Sequence, residues 1–153
     1  MYFQRPRSFD AKAYAKNRRD KRALVGGGRA HGTIVFCGKD PVGWCQFGPK
    51  DELPRIDRKR GYVPTALDPW RITCLFISKE HRRMSFGKLA IEESVAAMRA
   101  LGARTVEAYP VEGKLSATFL WSGTPRQFED AGFTRVSPLG KNSFVYSLVI
   151  SSP

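Results

Sequence analysis

Trp70-Arg71-Ile72-Thr73-Cys74-Leu75-Phe76-Ile77, then Ser78-Lys79-Glu80-His81-Arg82-Arg83-Met84, then Ser85-Phe86-Gly87-Lys88-Leu89 running on to Leu101, form the stretch that decides the fold of this 153-residue chain. The first eight residues are apolar enough for a strand in the middle of a sheet. The polar residues after them read as a turn. From about Ser85 to Leu101, Ile91, Val95, Met98 and Leu101 fall on one stripe, with Phe86, Ala90 and Ala97 beside it. Lys88, Glu92 and Arg99 turn outward, which is the pattern of an amphipathic helix, and Gly102 terminates it. Thr105-Val106-Glu107-Ala108-Tyr109 is a further strand, ended by Pro110. Residues 70–109 are thus a strand–helix–strand unit, whose connection should be a right-handed parallel crossover.

Upstream of this unit, Gly32–Cys37 and Val42–Phe47 read as a β-hairpin turning on Gly38-Lys39-Asp40-Pro41. Residues 10–25 read as a helix capped by Asp10 and stopped by Gly26-Gly27-Gly28. Residues 49–69, rich in proline and charge, read as a loop or short helix over the surface. Downstream, Thr124 as cap, Pro125 at the first position and Gly132 beyond the end suit a short helix over 125–131. Alternation through Phe133–Val136 and Phe144–Ile150 predicts a final strand pair. The expected architecture is α/β: one mixed sheet with helices on both faces. It forms a single domain over 1–153, with a basic helical segment (1–29) and a core (30–150).

Composition narrows the function. Net charge is +12, and Arg5, Arg7, Lys12, Lys16, Arg18, Arg19, Lys21, Arg22 and Arg29 face only Asp10 and Asp20 in the first 29 residues. Such a balance favours an anionic partner. No apolar run is long enough to cross a bilayer, and the N-terminus lacks a signal-peptide core. Cys37, Cys45 and Cys74 show neither pairing nor metal-ligand spacing, which fits a reducing, cytoplasmic setting without a metal site.

The turn that opens the 85–101 helix carries the chemistry. Free backbone N–H groups and the helix dipole make an anion site suited to a pyrophosphate. Arg82, Arg83 and Lys88 add cations there, and Ser85 and Gly87 are small where backbone must come close.

His81-Arg82-Arg83-Met84-Ser85-Phe86-Gly87-Lys88-Leu89 resembles the coenzyme-A loop of the GNAT superfamily of N-acyltransferases, Arg/Gln-x-x-Gly-x-Gly/Ala. Arg82 matches its first position and Gly87 its last, while Ser85 replaces the middle glycine. Val106-Glu107-Ala108-Tyr109-Pro110-Val111 is similar to the family's following strand. Phe128-Glu129-Asp130-Ala131-Gly132-Phe133 is similar to its short C-terminal helix, and Pro41-Val42-Gly43-Trp44 fits its first hairpin.

The resemblance implies acetyl-coenzyme A as cosubstrate, in a cleft where strands 70–77 and 105–109 splay apart. The pantetheine arm would meet backbone near Leu75, Phe76 and Ile77. The pyrophosphate would rest on Arg82, Arg83, Met84, Ser85, Phe86, Gly87 and Lys88. An amine of a small molecule or peptide would attack the thioester directly, with Glu107 as candidate base and Tyr109 as candidate acid, since Phe128 stands where the family often has a tyrosine acid. The family normally opens with a strand and two helices. Here one helix precedes the hairpin, and Tyr2-Phe3-Gln4 reads as the stub of a first strand. An edge so exposed fits a shortened form or a homodimer. The alternative reading is a binding protein on a degenerate GNAT fold, holding coenzyme A without turnover or nucleic acid through the basic stretches 5–29 and 55–60.

Overall fold

The computed structural model describes residues 3–4, 10–113 and 121–150. Its elements are α1 (Tyr14–Gly26), β1 (His31–Cys37), β2 (Asp40–Pro49), β3 (Trp70–Ile77), α2 (Phe86–Ala100), β4 (Thr105–Ala108), α3 (Pro125–Glu129), β5 (Thr134–Pro138) and β6 (Phe144–Val149), with short 3-10 turns at Lys50–Glu52, Ile56–Arg58 and Lys79–His81. The described strands form one six-stranded sheet in the order β1-β2-β3-β4-β6-β5. Only β3 and β4 run parallel; the other pairings are antiparallel.

The α2 stripe explains one face. Ala90, Ile91, Val95 and Met98 pack with Ile72, Leu75, Val106 and Phe128 into the main core. Burying each of the large side chains contributes about 1.5–3 kcal/mol. Leu101 departs from the sequence reading: it sits beyond the last turn and is 54% exposed. On the opposite face a second cluster of Leu53, Ile56, Tyr109, Leu139 and Val145 lies under the 50–62 segment and includes Phe3.

Two irregularities in β3 shape everything that follows. Phe47 pairs with Ile72 and Gln46 with Cys74, so Thr73 is an extra residue in a β-bulge. The bulge lets Ile72 and Leu75, three apart, join the same core. In addition, β3 and β4 pair only over Trp70–Ile72 and Val106–Ala108. Beyond that point the chain after β4 follows β6: Phe144 N–H donates to Pro110 O and Val111 bridges Ser143. Pro110 has no N–H with which to continue a ladder. The strands therefore splay, and Thr73–Ile77 keep one backbone edge without a described strand beside it.

Several boundaries shift from the sequence expectation. Asp10 does not cap α1; it accepts from Lys12 N–H, and the helix starts at Tyr14 behind an uncapped Ala13. Strand β2 already begins at Asp40, because the hairpin turns on Gly38-Lys39 alone. Phe3 and Gln4 lie in a turn and not in a strand, leaving β1 at the sheet's edge with Ile34 and Phe36 more than half exposed. Tyr2 lies outside the described residues, as does most of the 111–122 stretch.

Candidate active site

The splay opens a cleft of about 660 Å³. Leu75, Phe76 and Ile77 form one wall, His81, Arg82, Arg83 and Gly87 the mouth, and Trp121, Thr124 and Gln127 the far wall. Each part has a local cause. Arg82 Nε donates to Ile77 O at 3.1 Å, folding the loop back on the strand end. Ser78 Oγ and His81 Nδ1 are 2.8 Å apart, which pins the turn. Arg83 and Ser85 both adopt left-handed backbone, at φ 66° and 62°. Ser85 is the residue that stands for the motif's middle glycine, and it pays the left-handed cost that glycine avoids.

Ser85 precedes α2 without a side-chain cap, and the first turn holds no acidic residue. The first helical bond after it is Leu89 N–H to Ser85 O. The N–H groups of the opening turn are therefore free for an anion, under the positive end of the dipole. Lys88 sits on this turn with Glu92 3.7 Å away, an exposed pair that leaves the ammonium mobile.

The far wall is held by a capping box. Gln127 Oε1 accepts from Thr124 N–H at 2.9 Å and from Thr124 Oγ1 at 3.1 Å. Gln127 also approaches α2 closely. A Cβ added at Gly87 would lie 2.5 Å from Gln127 Nε2, so any larger residue there would push the end of that side chain aside. Deeper in, at Gly123 (φ +73°), a Cβ would lie 2.8 Å from the Phe128 ring and 3.2 Å from Leu75.

Of the residues singled out from sequence, Leu75, Phe76, Ile77, Arg82, Arg83 and Gly87 meet at this cleft. Met84, Ser85, Phe86 and Lys88 belong to the same loop and first turn without lining it. Thr124 and Gln127 were missed as lining residues. The Thr124-Pro125 start of a helix was legible, but its position across the splay from β3 was not.

Glu107 and Tyr109 lie elsewhere. Glu107 is fully buried and accepts four hydrogen bonds, from Tyr62 OH, Thr65 N–H, Thr65 Oγ1 and Tyr109 OH, at 2.6–2.8 Å. Arg71, opposite it on β3, donates to Tyr62 OH and to both Asp57 oxygens. Burial, with the Glu107 carboxylate beside it, holds the Tyr109 hydroxyl well above the ordinary tyrosine range. Neither residue lines the cleft, and a proton could reach Glu107 only by displacing one of its donors. Phe128 is buried edge-on to Phe133 and carries no proton to give. Burial pushes the Cys45 thiol up to about 12 and the Cys74 thiol up to about 11, so both are poor nucleophiles.

A mixed sheet that splays beside a bulge, with a cationic loop opening the next helix, defines an acyltransferase-type fold. The comparisons say which. Residues 2–121 match the acetyltransferase (GNAT) family, and the chain belongs to that family. Solved structures share the fold. A protein described as a GNAT-family acetyltransferase from Desulfovibrio desulfuricans aligns over 95% of this chain and 86% of its own, at 18% identity and TM-score 0.64. A Bacillus subtilis acetyltransferase in complex with CoA aligns over 94% and 95%, at 12% identity and TM-score 0.56. The ribosomal-protein-S18-alanine N-acetyltransferase of Escherichia coli aligns over 98% and 84%, at 13% identity and TM-score 0.56. No curated protein sequence matches the chain significantly. No described helix is long and apolar enough to cross a membrane.

Proposed function

We propose that this chain is an N-acetyltransferase, moving the acetyl group of acetyl-coenzyme A to a primary amine by direct attack. The observation that carries the reading is the cleft itself: a strand edge freed by the splay leads to a cationic, uncapped helix start. In this reading the pyrophosphate rests on the turn 82–88, where backbone N–H groups, Arg82, Arg83 and Lys88 answer its charge. The pantetheine arm runs along Leu75, Phe76 and Ile77. Charge supports the assignment: the loop 82–88 presents no carboxylate to an anion.

Catalysis is then mostly proximity and carbonyl polarisation by the free N–H edge of β3. The leaving thiolate, from a thiol of pKa about 8.5, needs no strong acid, which suits a cleft where Phe128 replaces one. We read the Glu107–Tyr109 pair as an anchor that ties the 57–65 segment to the splay. The CoA-bound Bacillus neighbour supports the cosubstrate. The Escherichia coli neighbour, named for an alanine of a ribosomal protein, supports a peptide or protein amine alongside small amines as the acceptor.

The test is coenzyme-A thiol release from acetyl-coenzyme A with and without a panel of amines. Thiol release that requires an amine supports the reading. Tight coenzyme-A binding with no amine-dependent release would leave a binding protein on the same fold.

A further inference from the structure

The cations of α1 divide into two sets. Lys16 Nζ lies 2.8 Å from Asp20, the helix's one acid. Lys21 donates to Gln4 Oε1 at 3.1 Å and lies over the Trp44 ring on the sheet beneath. Arg18, Arg19 and Arg22, by contrast, are exposed and have no ion pair or hydrogen bond among the described residues. At 3.6 residues per turn they fall on the side away from the half-buried positions Asn17, Asp20, Lys21 and Leu24. The other residues on that side, Ala15, Ala23 and Gly26, are small.

The helix itself gains nothing from this charge. Like charges three and four apart, as in Arg19 with Arg22 and Arg18 with Arg22, destabilise a helix. Cations stabilise a helix in its last turn, against the negative end of the dipole, and α1 has none there. A face that costs its own element stability and carries no carboxylate is complementary to an anion outside the chain. More basic surface adjoins it. Phe3 O accepts from Arg55 N–H, and Gln4 bonds to both Lys21 Nζ and Arg29 O, so the turn at 3–4 joins α1 to the 55–60 segment. Arg58, Lys59 and Arg60 are exposed there, and Asp57, the acid before them, is engaged by Arg71. Tyr14 is 75% exposed and stands one turn from Arg18 on the flank of the arginine face, an aromatic ring beside the charge.

We propose that the outer face of α1 is a nucleic-acid contact, where Arg18, Arg19 and Arg22 hold the phosphates of a single strand and a base stacks on Tyr14. Guanidinium forks suit phosphate oxygens, which they bind in pairs. Arg18 and Arg22 are about 6 Å apart along the helix, so the three charges meet a chain of phosphates and not one small anion. An acidic protein is the other polyanion of the right charge. The ring set beside the guanidinium groups favours a strand, which carries bases as well as phosphates. The core of a protein interface needs large apolar side chains, and the centre of this face offers alanine and glycine. Arg58, Lys59 and Arg60 extend the footprint. The contact is independent of the acetyltransferase reading, since none of these residues lines the cleft.

Fluorescence anisotropy on the full chain tests it, with a labelled mixed-sequence RNA strand, the DNA strand of the same sequence, the RNA duplex and polyglutamate. Each is titrated at several salt concentrations between roughly 50 and 200 mM. At least one single strand should bind, its log affinity falling linearly with log salt, and the tighter of the two names RNA or DNA as the source. Each phosphate contact adds about 0.7 to that slope. The combined Arg18→Gln, Arg19→Gln and Arg22→Gln variant should therefore flatten it by about 2, with coenzyme-A binding unchanged and the melting temperature no lower. Arg22→Gln alone serves if the combined variant does not fold, and should flatten the slope by about 0.7. Tyr14→Ala should weaken the strand about tenfold and leave the slope as it was. No binding of either strand at the lowest salt, or a duplex held as tightly as the strand, would overturn the proposal. A slope unchanged in the arginine variants, or release of the strand by coenzyme A, would overturn it by placing the strand elsewhere. Polyglutamate held more tightly than either strand would overturn it in favour of an acidic protein.

Discussion

At the scale of single residues, Ser85 shows a motif kept in shape but changed in letter. Its φ of 62° puts an L-residue where glycine is preferred, at a cost of about 1–2 kcal/mol. Ser85→Gly should therefore raise stability slightly, by about 0.5 kcal/mol after the glycine's greater unfolded entropy of about 0.5–1 kcal/mol is set against the relief. Ser85→Val should lower it, because a β-branched side chain tolerates this backbone worst; urea denaturation measures both. Glu107 makes a second residue-scale prediction. Glu107→Gln swaps a four-donor carboxylate for an amide that cannot accept them all, and should cost about 3–5 kcal/mol in urea unfolding. A proton-transfer role would instead lower the rate with little change in stability.

At the scale of elements, the cleft's far wall depends on a helix only Pro125–Glu129 long. Such a helix is marginal without its cap. Thr124→Ala should cost about 1 kcal/mol, and by freeing Gln127 it should also weaken coenzyme-A binding, read by calorimetry alongside the melting temperature. Elements were also the scale at which the sequence was most legible. The runs Trp70–Ile77 and Phe86–Ala100 carry strong periodicity, and the structure follows them nearly residue for residue. The position of the loop 82–88 was legible for the same reason, since it lies between two well-marked elements. The bulge at Thr73 was not, because one extra residue leaves no compositional trace. Nor was the fate of Glu107: a carboxylate on a strand looks the same whether it faces a cleft or the hydroxyls of Tyr62 and Tyr109, forty-five and two residues away. Asp10 misled because a capping residue in the right neighbourhood can satisfy a nearby turn instead.

At the scale of the whole molecule, charge and protonation set the behaviour. Tyr62, raised by burial and by its bond to Glu107, and Tyr146, raised by burial and by its bond to Glu129, both move from 10.0 to about 12. The folded protein holds these protons more tightly than the unfolded chain. The stability they contribute is thus complete below about pH 10 and lost as pH rises through 12. An alkaline transition should appear in that window by circular dichroism, and Tyr62→Phe should make it shallower. The net charge of +12 includes exposed Lys16, Arg18, Arg19 and Arg22 on α1 and Arg58, Lys59 and Arg60 at the end of the second 3-10 turn. Any contact with nucleic acid through these residues should weaken steeply with salt.

If the loop 82–88 holds the phosphates of coenzyme A, calorimetric titration with acetyl-coenzyme A should separate the unaltered chain from Gly87→Glu. Gly87→Glu puts a carboxylate and bulk where a Cβ alone already meets Gln127 at 2.5 Å. Micromolar binding is expected in the unaltered chain, falling by roughly a hundredfold or more in the variant, about 2.7 kcal/mol. Binding of equal strength in both proteins, or no binding in the unaltered chain, would contradict it.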